Sequence, residues 1–233
     1  MEWNREIMQK PMWKEEISNR EEKEKIARRM AEKVQDGEVI GFGSGSTSYL
    51  TVIEIANKMQ RENISITAIP TSYEIKMLCT YLNIPTATID EKKPDWCFDG
   101  ADEVDNDKWL IKGRGAAMFN EKLNIKTSGK TYILVDKSKL VNKLGTNFPI
   151  PVECTPKAIN VVKEELYKLG ANSIELRLAL KKDGPVITEN GNIILDARFE
   201  NIDETLERKL KNITGVIETG LFIGYNVEVI TAD

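Results

Sequence analysis

Between residues 22 and 35 apolar side chains fall at Ile26, Ala27, Met30, Ala31 and Val34, the spacing of a helix with one buried stripe. Asp36-Gly37 ends it, and 38–42 is an apolar run of strand length. The turn Gly43-Ser44-Gly45-Ser46-Thr47 follows, then a helix with Leu50, Ile53 and Ala56 facing inward. The alternation continues with a strand at 64–69, a helix at 73–82 and strands at 86–89, 96–98 and 132–135. Strands alternating with helices predict a parallel sheet.

From residue 148 the pattern changes. A strand at 148–153 leads to Thr155, read as a cap, and to a helix at 156–169 with Pro156 at its first position. Residues 173–179 alternate as a strand, and 185–188 and 192–197 flank Asn190-Gly191, a hairpin signal. A helix at 203–210 and a strand at 215–218 complete a βαββαβ order, which is ferredoxin-like. A last strand at 227–230 is expected to return to the first sheet. The fold class is therefore α/β: a Rossmann-like parallel-sheet domain over 1–147 and 219–233, with an extra leader over 1–20, and a smaller ferredoxin-like α+β domain over 148–218.

With 233 residues the chain can bury a sizeable core as one large domain or two small ones. A net charge of −4, with acids and bases interleaved, offers no basic face to nucleic acid. No apolar run approaches the ~20 residues of a membrane span. The charged leader, with Trp3, Trp13 and Pro11, has no signal-peptide core and is expected to pack on the body or on a neighbouring subunit. Cys79, Cys97 and Cys154 are isolated, so neither a disulfide nor a zinc framework is expected, and the cytoplasm is the expected compartment. There is no histidine. That excludes Ser-His-Asp and Cys-His nucleophiles, and leaves acid–base work to Asp, Glu, Lys or Tyr.

Candidate chemistry concentrates between residues 95 and 121. The strand at 96–98 runs into Asp99, Gly100, Ala101, Asp102, Glu103 and Asp105, carboxylates at the strand end where open α/β sheets bind ligands. Lys112, Gly113, Arg114 and Gly115 form a glycine-rich turn opening a helix, where backbone N–H groups and a lysine can hold an oxyanion. On that helix Glu121 shares a face with Ala117, Met118 and Ile125, an apolar setting that raises a carboxyl pKa toward that of a general base. Ser44, Gly45, Ser46 and Thr47, between strand and helix, form a phosphate site in outline. It is not a dinucleotide fingerprint, because Ser46 stands at the third glycine and no acid closes the next strand. Lys139 lies just past a strand end, where by itself it reads as a solvated loop lysine.

The segments Asp-Gly-Ala-Asp-Glu (99–103) and Lys-Gly-x-Gly-Ala-Ala-x-x-x-Glu-Lys (112–122) resemble type A ribose-5-phosphate isomerase, from about Lys23 to the last strand. The resemblance implies interconversion of ribose 5-phosphate and ribulose 5-phosphate through an enediol(ate), in the pentose phosphate pathway. It implies Glu121 as base, Lys112 and the N–H groups of 113–115 as enediolate stabilisers, Asp99 as the ring-opening acid and Asp102 as an orienter of hydroxyls. Ser44, Gly45, Ser46, Thr47, Gly100, Ala101, Lys139 and Lys23 become substrate contacts. No cofactor or metal is expected, nor any nucleic-acid or membrane partner; a homodimer or homotetramer is. Arg114 departs from the glycine often found there, and the leader departs as well. A sugar-phosphate sensor of the same fold and an acyl-CoA-type transferase with a glutamate nucleophile are the alternatives from other classes.

Overall fold

The structure is a computed structural model that describes residues 13 and 16–232. In chain order the elements begin with α1 (Arg20–Ala31), β1 (Val39–Phe42), α2 (Ser46–Glu62), β2 (Thr67–Pro70), α3 (Tyr73–Tyr81) and β3 (Trp96–Asp99). Next come β4 (Glu103–Val104), β5 (Leu110–Ile111), α4 (Met118–Thr127), β6 (Thr131–Leu134) and β7 (Ile150–Cys154). The rest are α5 (Ile159–Lys168), β8 (Ala171–Leu176), β9 (Ile193–Phe199), α6 (Leu206–Lys211), β10 (Val216–Thr219), β11 (Leu221–Phe222) and β12 (Glu228–Ile230). No helix among the described residues is long and apolar enough to cross a membrane.

The chain divides into two compact units, Met1–Gly100 with Asn120–Ser138 and Asn226–Asp233, and Ala101–Phe119 with Lys139–Tyr225. The first holds a five-stranded parallel sheet in the order β12-β6-β3-β1-β2, the Rossmann-like sheet expected, with the last strand returning to it. Its core joins Ile26 and Met30 of α1, Val52 and Ile55 of α2, and Ile40, Phe42 and Phe98 of the sheet. The Phe42 and Phe98 rings stand 5.0 Å apart, and Trp96 meets Tyr132 edge-on at 5.7 Å. Of the leader, residues 1–12, 14 and 15 lie outside the described residues. Trp13 packs on Tyr49 with ring centroids 5.7 Å apart, and Ile17 joins the core.

The second unit holds the antiparallel sheet β10-β7-β9-β8, the strand order of a ferredoxin-like βαββαβ unit, and a three-stranded sheet β11-β5-β4. The short sheet moves the division away from residues 147 and 218. Among the named strands β4, β5 and β11 pair with one another, β4 adds a bridge from Val104 to Leu140, and Glu103 accepts the amides of Gly145 (2.6 Å), Asn147 and Phe148 (3.0 Å). Three charge-assisted bonds to one fully buried carboxylate make Glu103 a structural acid that ties β4 to residues 145–148.

Three further expectations change. Residues 86–89 form one bridge, Ala68↔Thr86, because the Thr88 amide and hydroxyl both turn back to Glu91 at 2.8 Å. Residues 185–188 also contribute only isolated bridges: Pro185 has no N–H, and the Thr188 amide turns into the hairpin loop, donating to Asn192 O at 2.8 Å. The hairpin turn itself is present, with Gly191 at φ 77°. Thr155 makes no side-chain cap; Pro156–Ala158 is a 3₁₀ turn before α5.

Candidate active site

In the first unit, β1 delivers the 43–47 turn and β3 delivers Asp99. A Cβ on Gly43 would lie 2.2 Å from the Asp99 carboxyl carbon, so only glycine lets β1 and β3 end side by side. Asp99 is 2% exposed, and its Oδ1 accepts the amides of Ser44 (3.2 Å) and Gly100 (2.7 Å). Gly45, at φ 96°, starts α2 directly on Ser46. The first-turn amides of a helix have no intrahelical partner, so the start of α2 offers donors and a positive dipole end. The Ser44 hydroxyl is engaged sideways, 2.8 Å from Thr71 Oγ1 and donating to Ser72 Oγ at 2.8 Å.

Lys23, on α1, is 4% exposed. Its ammonium donates to Ser46 Oγ and Ser18 Oγ, each at 3.2 Å, and pairs with Asp136 Oδ2 at 3.5 Å. Burial works to raise the Asp136 pKa. Hydrogen bonds from Ser138 and Asn19, with the Lys23 charge, outweigh it and hold the carboxyl below its ordinary value. The fold thus brings Lys23 to the 44–47 turn across a sequence gap of 23 residues. Asp136, which completes this network, was not singled out from sequence; its place at the end of β6 was the available signal.

Glu121, on α4, is 4% exposed. Two asparagines one turn apart fix its helix to the end of β2: Asn120 Nδ2 donates to Thr71 O at 2.9 Å and Asn124 Nδ2 to Ile69 O at 3.0 Å. Neither asparagine was read as functional from sequence, although the i, i+4 spacing flanking Glu121 was there to see.

In the second unit, Lys112 directly follows β5. It is 2% exposed, its amide donates to Gly220 O at 2.9 Å, and its ammonium lies 5.5 Å over the Phe222 ring. Gly220 must be glycine, since a Cβ there would meet Lys112 O at 2.2 Å. Gly113 takes φ 101°, and Ala116 closes the turn by donating to Gly113 O at 3.0 Å. The Arg114 amide donates to Asp102 Oδ2 at 3.1 Å, so of the N–H groups in 113–115 this one is already engaged. Burial raises the Asp102 pKa, against the pull of Lys112, the Arg114 amide, Lys139 and the Arg114 side chain. Arg114 itself is exposed. Lys139 sits 4.7 Å over the Phe148 ring. Ala101 is half-buried beside Asp102. Among the described residues no group of three or more His, Cys, Asp or Glu could hold a metal ion.

If Thr47, buried at the second position of α2, helps grip the substrate's phosphate end, Thr47→Val should raise KM more than it lowers kcat, because it removes binding common to ground and transition states. Steady-state kinetics check this; a fall in kcat at unchanged KM would place Thr47 elsewhere in the reaction.

A helix start beyond β1 and a buried carboxylate ending β3 make the chain an α/β protein whose candidate groups stand at the carboxyl ends of its parallel strands, where open sheets of this kind bind ligands. The chain belongs to the ribose 5-phosphate isomerase A (phosphoriboisomerase A) family, whose model matches residues 67–233. It is 46% identical over 209 residues to the ribose-5-phosphate isomerase A of Methanocaldococcus jannaschii, covering 88% of this chain and 92% of that protein. The solved structure of the isomerase from that organism superposes with a TM-score of 0.89 at 42% identity, over 93% of this chain and 96% of the other. A D-ribose-5-phosphate isomerase solved in complex with phospho-erythronic acid superposes at 0.85 with 43% identity, over 90% and 93%.

Proposed function

We propose that this chain interconverts D-ribose 5-phosphate and D-ribulose 5-phosphate through an enediol(ate). The observation that carries the reading is the burial of both Glu121 and Lys112, a carboxylate and an ammonium within one motif, in a chain that has no histidine for acid–base work. Glu121 takes the C2 proton of the open-chain aldose and returns it to C1, while the proton of the C2 hydroxyl passes to O1, so that the carbonyl moves from C1 to C2. The oxygen that gains charge meets the Lys112 ammonium and the Gly115 N–H, donors held in place before the reaction begins. Asp99 exchanges the proton that opens the furanose ring, and Asp102 orients hydroxyls. The α2 start, with Gly45, Ser46 and Thr47, takes the phosphate end together with Lys23 and Lys139; Ser44, Gly100, Ala101, Gly113 and Arg114 border the substrate. The relative in complex with phospho-erythronic acid supports a phosphorylated sugar as ligand class. The chain works in the cytoplasm as a homodimer or homotetramer.

The test is turnover of ribose 5-phosphate and other sugar phosphates by the purified protein, with no cofactor added. Ribose 5-phosphate should be the best substrate. Saturable binding without turnover would replace this reading with that of a sugar-phosphate sensor. Because the proton carrier is a carboxylate, dialysis against a strong chelator should leave the rate unchanged; a tenfold loss restored by a divalent ion would contradict that.

A further inference from the structure

We propose that Arg177, held by Asp196, is a positioning residue that sets the direction of the N–H groups in the 112–115 turn; the inference rests on the isomerase reading above. Arg177 follows β8, and its backbone is fixed on both sides, its N–H donating to Ile194 O and its carbonyl accepting from Val186 N, each at 2.9 Å. Its guanidinium forks onto Asp196 of β9, with Nε 2.8 Å from Oδ2 and Nη2 on Oδ1. The remaining nitrogen, Nη1, donates to two successive carbonyls of the turn, Gly113 O at 2.7 Å and Arg114 O at 2.9 Å. The two side chains are 17% and 19% exposed, so the pair is shielded from most competing water.

A trans peptide is planar, with its C=O and the following N–H pointing in opposite directions. No peptide among the described residues is cis. Holding Gly113 O and Arg114 O toward Arg177 therefore points the N–H groups of Arg114 and Gly115 the other way. The first already shows this, since it reaches Asp102 Oδ2 at 3.1 Å. The second is the donor assigned above to the enediolate. Glycine at 113 and 115 makes rotation of these peptides easy, and a Cβ at Gly115 would touch nothing within 4 Å. The Ala116 amide on Gly113 O and the Arg114 amide on Asp102 restrain the first of these peptides, and the Arg177 guanidinium on Arg114 O restrains the second, the one that carries the Gly115 N–H. A planar fork can satisfy Asp196 and both carbonyls together, whereas a lysine ammonium cannot match that geometry.

Such a residue acts on the transition state and leaves phosphate binding alone. Arg177→Met should lower kcat by about ten- to a hundred-fold, less than loss of a direct oxyanion donor, with KM for ribose 5-phosphate changed by less than about threefold. Affinity for a four-carbon phosphorylated hydroxamate, a planar anion resembling the enediolate, should fall in step with kcat/KM. Affinity for inorganic phosphate should stay at the parent value. Arg177→Lys and Asp196→Asn should fall between parent and Arg177→Met, and they carry the test if the methionine variant does not fold. Folded variants with parent kcat and parent hydroxamate affinity overturn the inference, as does a loss confined to KM and phosphate binding. Lys112→Met, measured alongside, separates the two readings. If the parent turns over ribose 5-phosphate and Lys112→Met is slower by about 10²–10³, parent-like Arg177 variants sink only the positioning role. A parent without turnover takes both readings down together.

Discussion

Glu121→Gln is expected to lower kcat by about two to four orders of magnitude, the usual size of a general-base contribution. The substitution keeps the shape of a side chain that is 4% exposed, and the asparagines on either side keep their bonds to β2, so the helix should stay where it is. What is lost is the ability to accept a proton. Substrate affinity, measured by direct binding, should change little, because the proposed phosphate grip lies at the start of α2 and on Lys23, not on α4. Steady-state kinetics beside calorimetric binding check both halves. A loss of affinity matching the loss of rate would recast Glu121 as a binding residue.

Lys112→Met should cost about 10²–10³ in kcat, the size seen when one preorganised oxyanion donor is removed. Methionine can still occupy the space over Phe222, so the loss reports charge rather than packing. A second effect has a definite sign. Burial raises the Asp102 pKa, and the Lys112 charge is the largest influence opposing that rise. Without it the carboxyl takes up its proton at higher pH. If Asp102 must be ionised to orient the substrate, the acid limb of the pH–kcat/KM profile of the variant should move toward neutrality. An unchanged acid limb would mean that Asp102 has no such part in turnover.

The parallel sheet and the βαββαβ order were legible because their strands and helices are long enough to show a period, and the two motifs because they are continuous in sequence. The three-stranded sheet was not, since two-residue strands such as β4, β5 and β11 carry no periodicity at all. Glu103 reads from sequence as one more acid in an acidic cluster; its three amide partners lie more than 40 residues away. Still longer separations hide Gly220 against Lys112 and Arg177 against Gly113. The glycine at 43 was visible as part of a turn, but its reason, a carboxyl 2.2 Å from where a Cβ would stand, exists only once β1 and β3 are side by side. Lys23 shows the converse. Nothing in its own helix marks it, and only the family resemblance drew attention to a lysine that the fold buries against Ser46 and Asp136.

The most direct test of proton transfer by Glu121 is wash-out of deuterium from C2-labelled ribose 5-phosphate into water, measured for the parent and for Glu121→Gln under the same conditions. The account predicts wash-out by the parent and its disappearance, in step with turnover, in the variant. A folded Glu121→Gln protein that releases the C2 label at the parent rate would contradict it, and the base would then have to be sought elsewhere, with Asp99 the next group to replace.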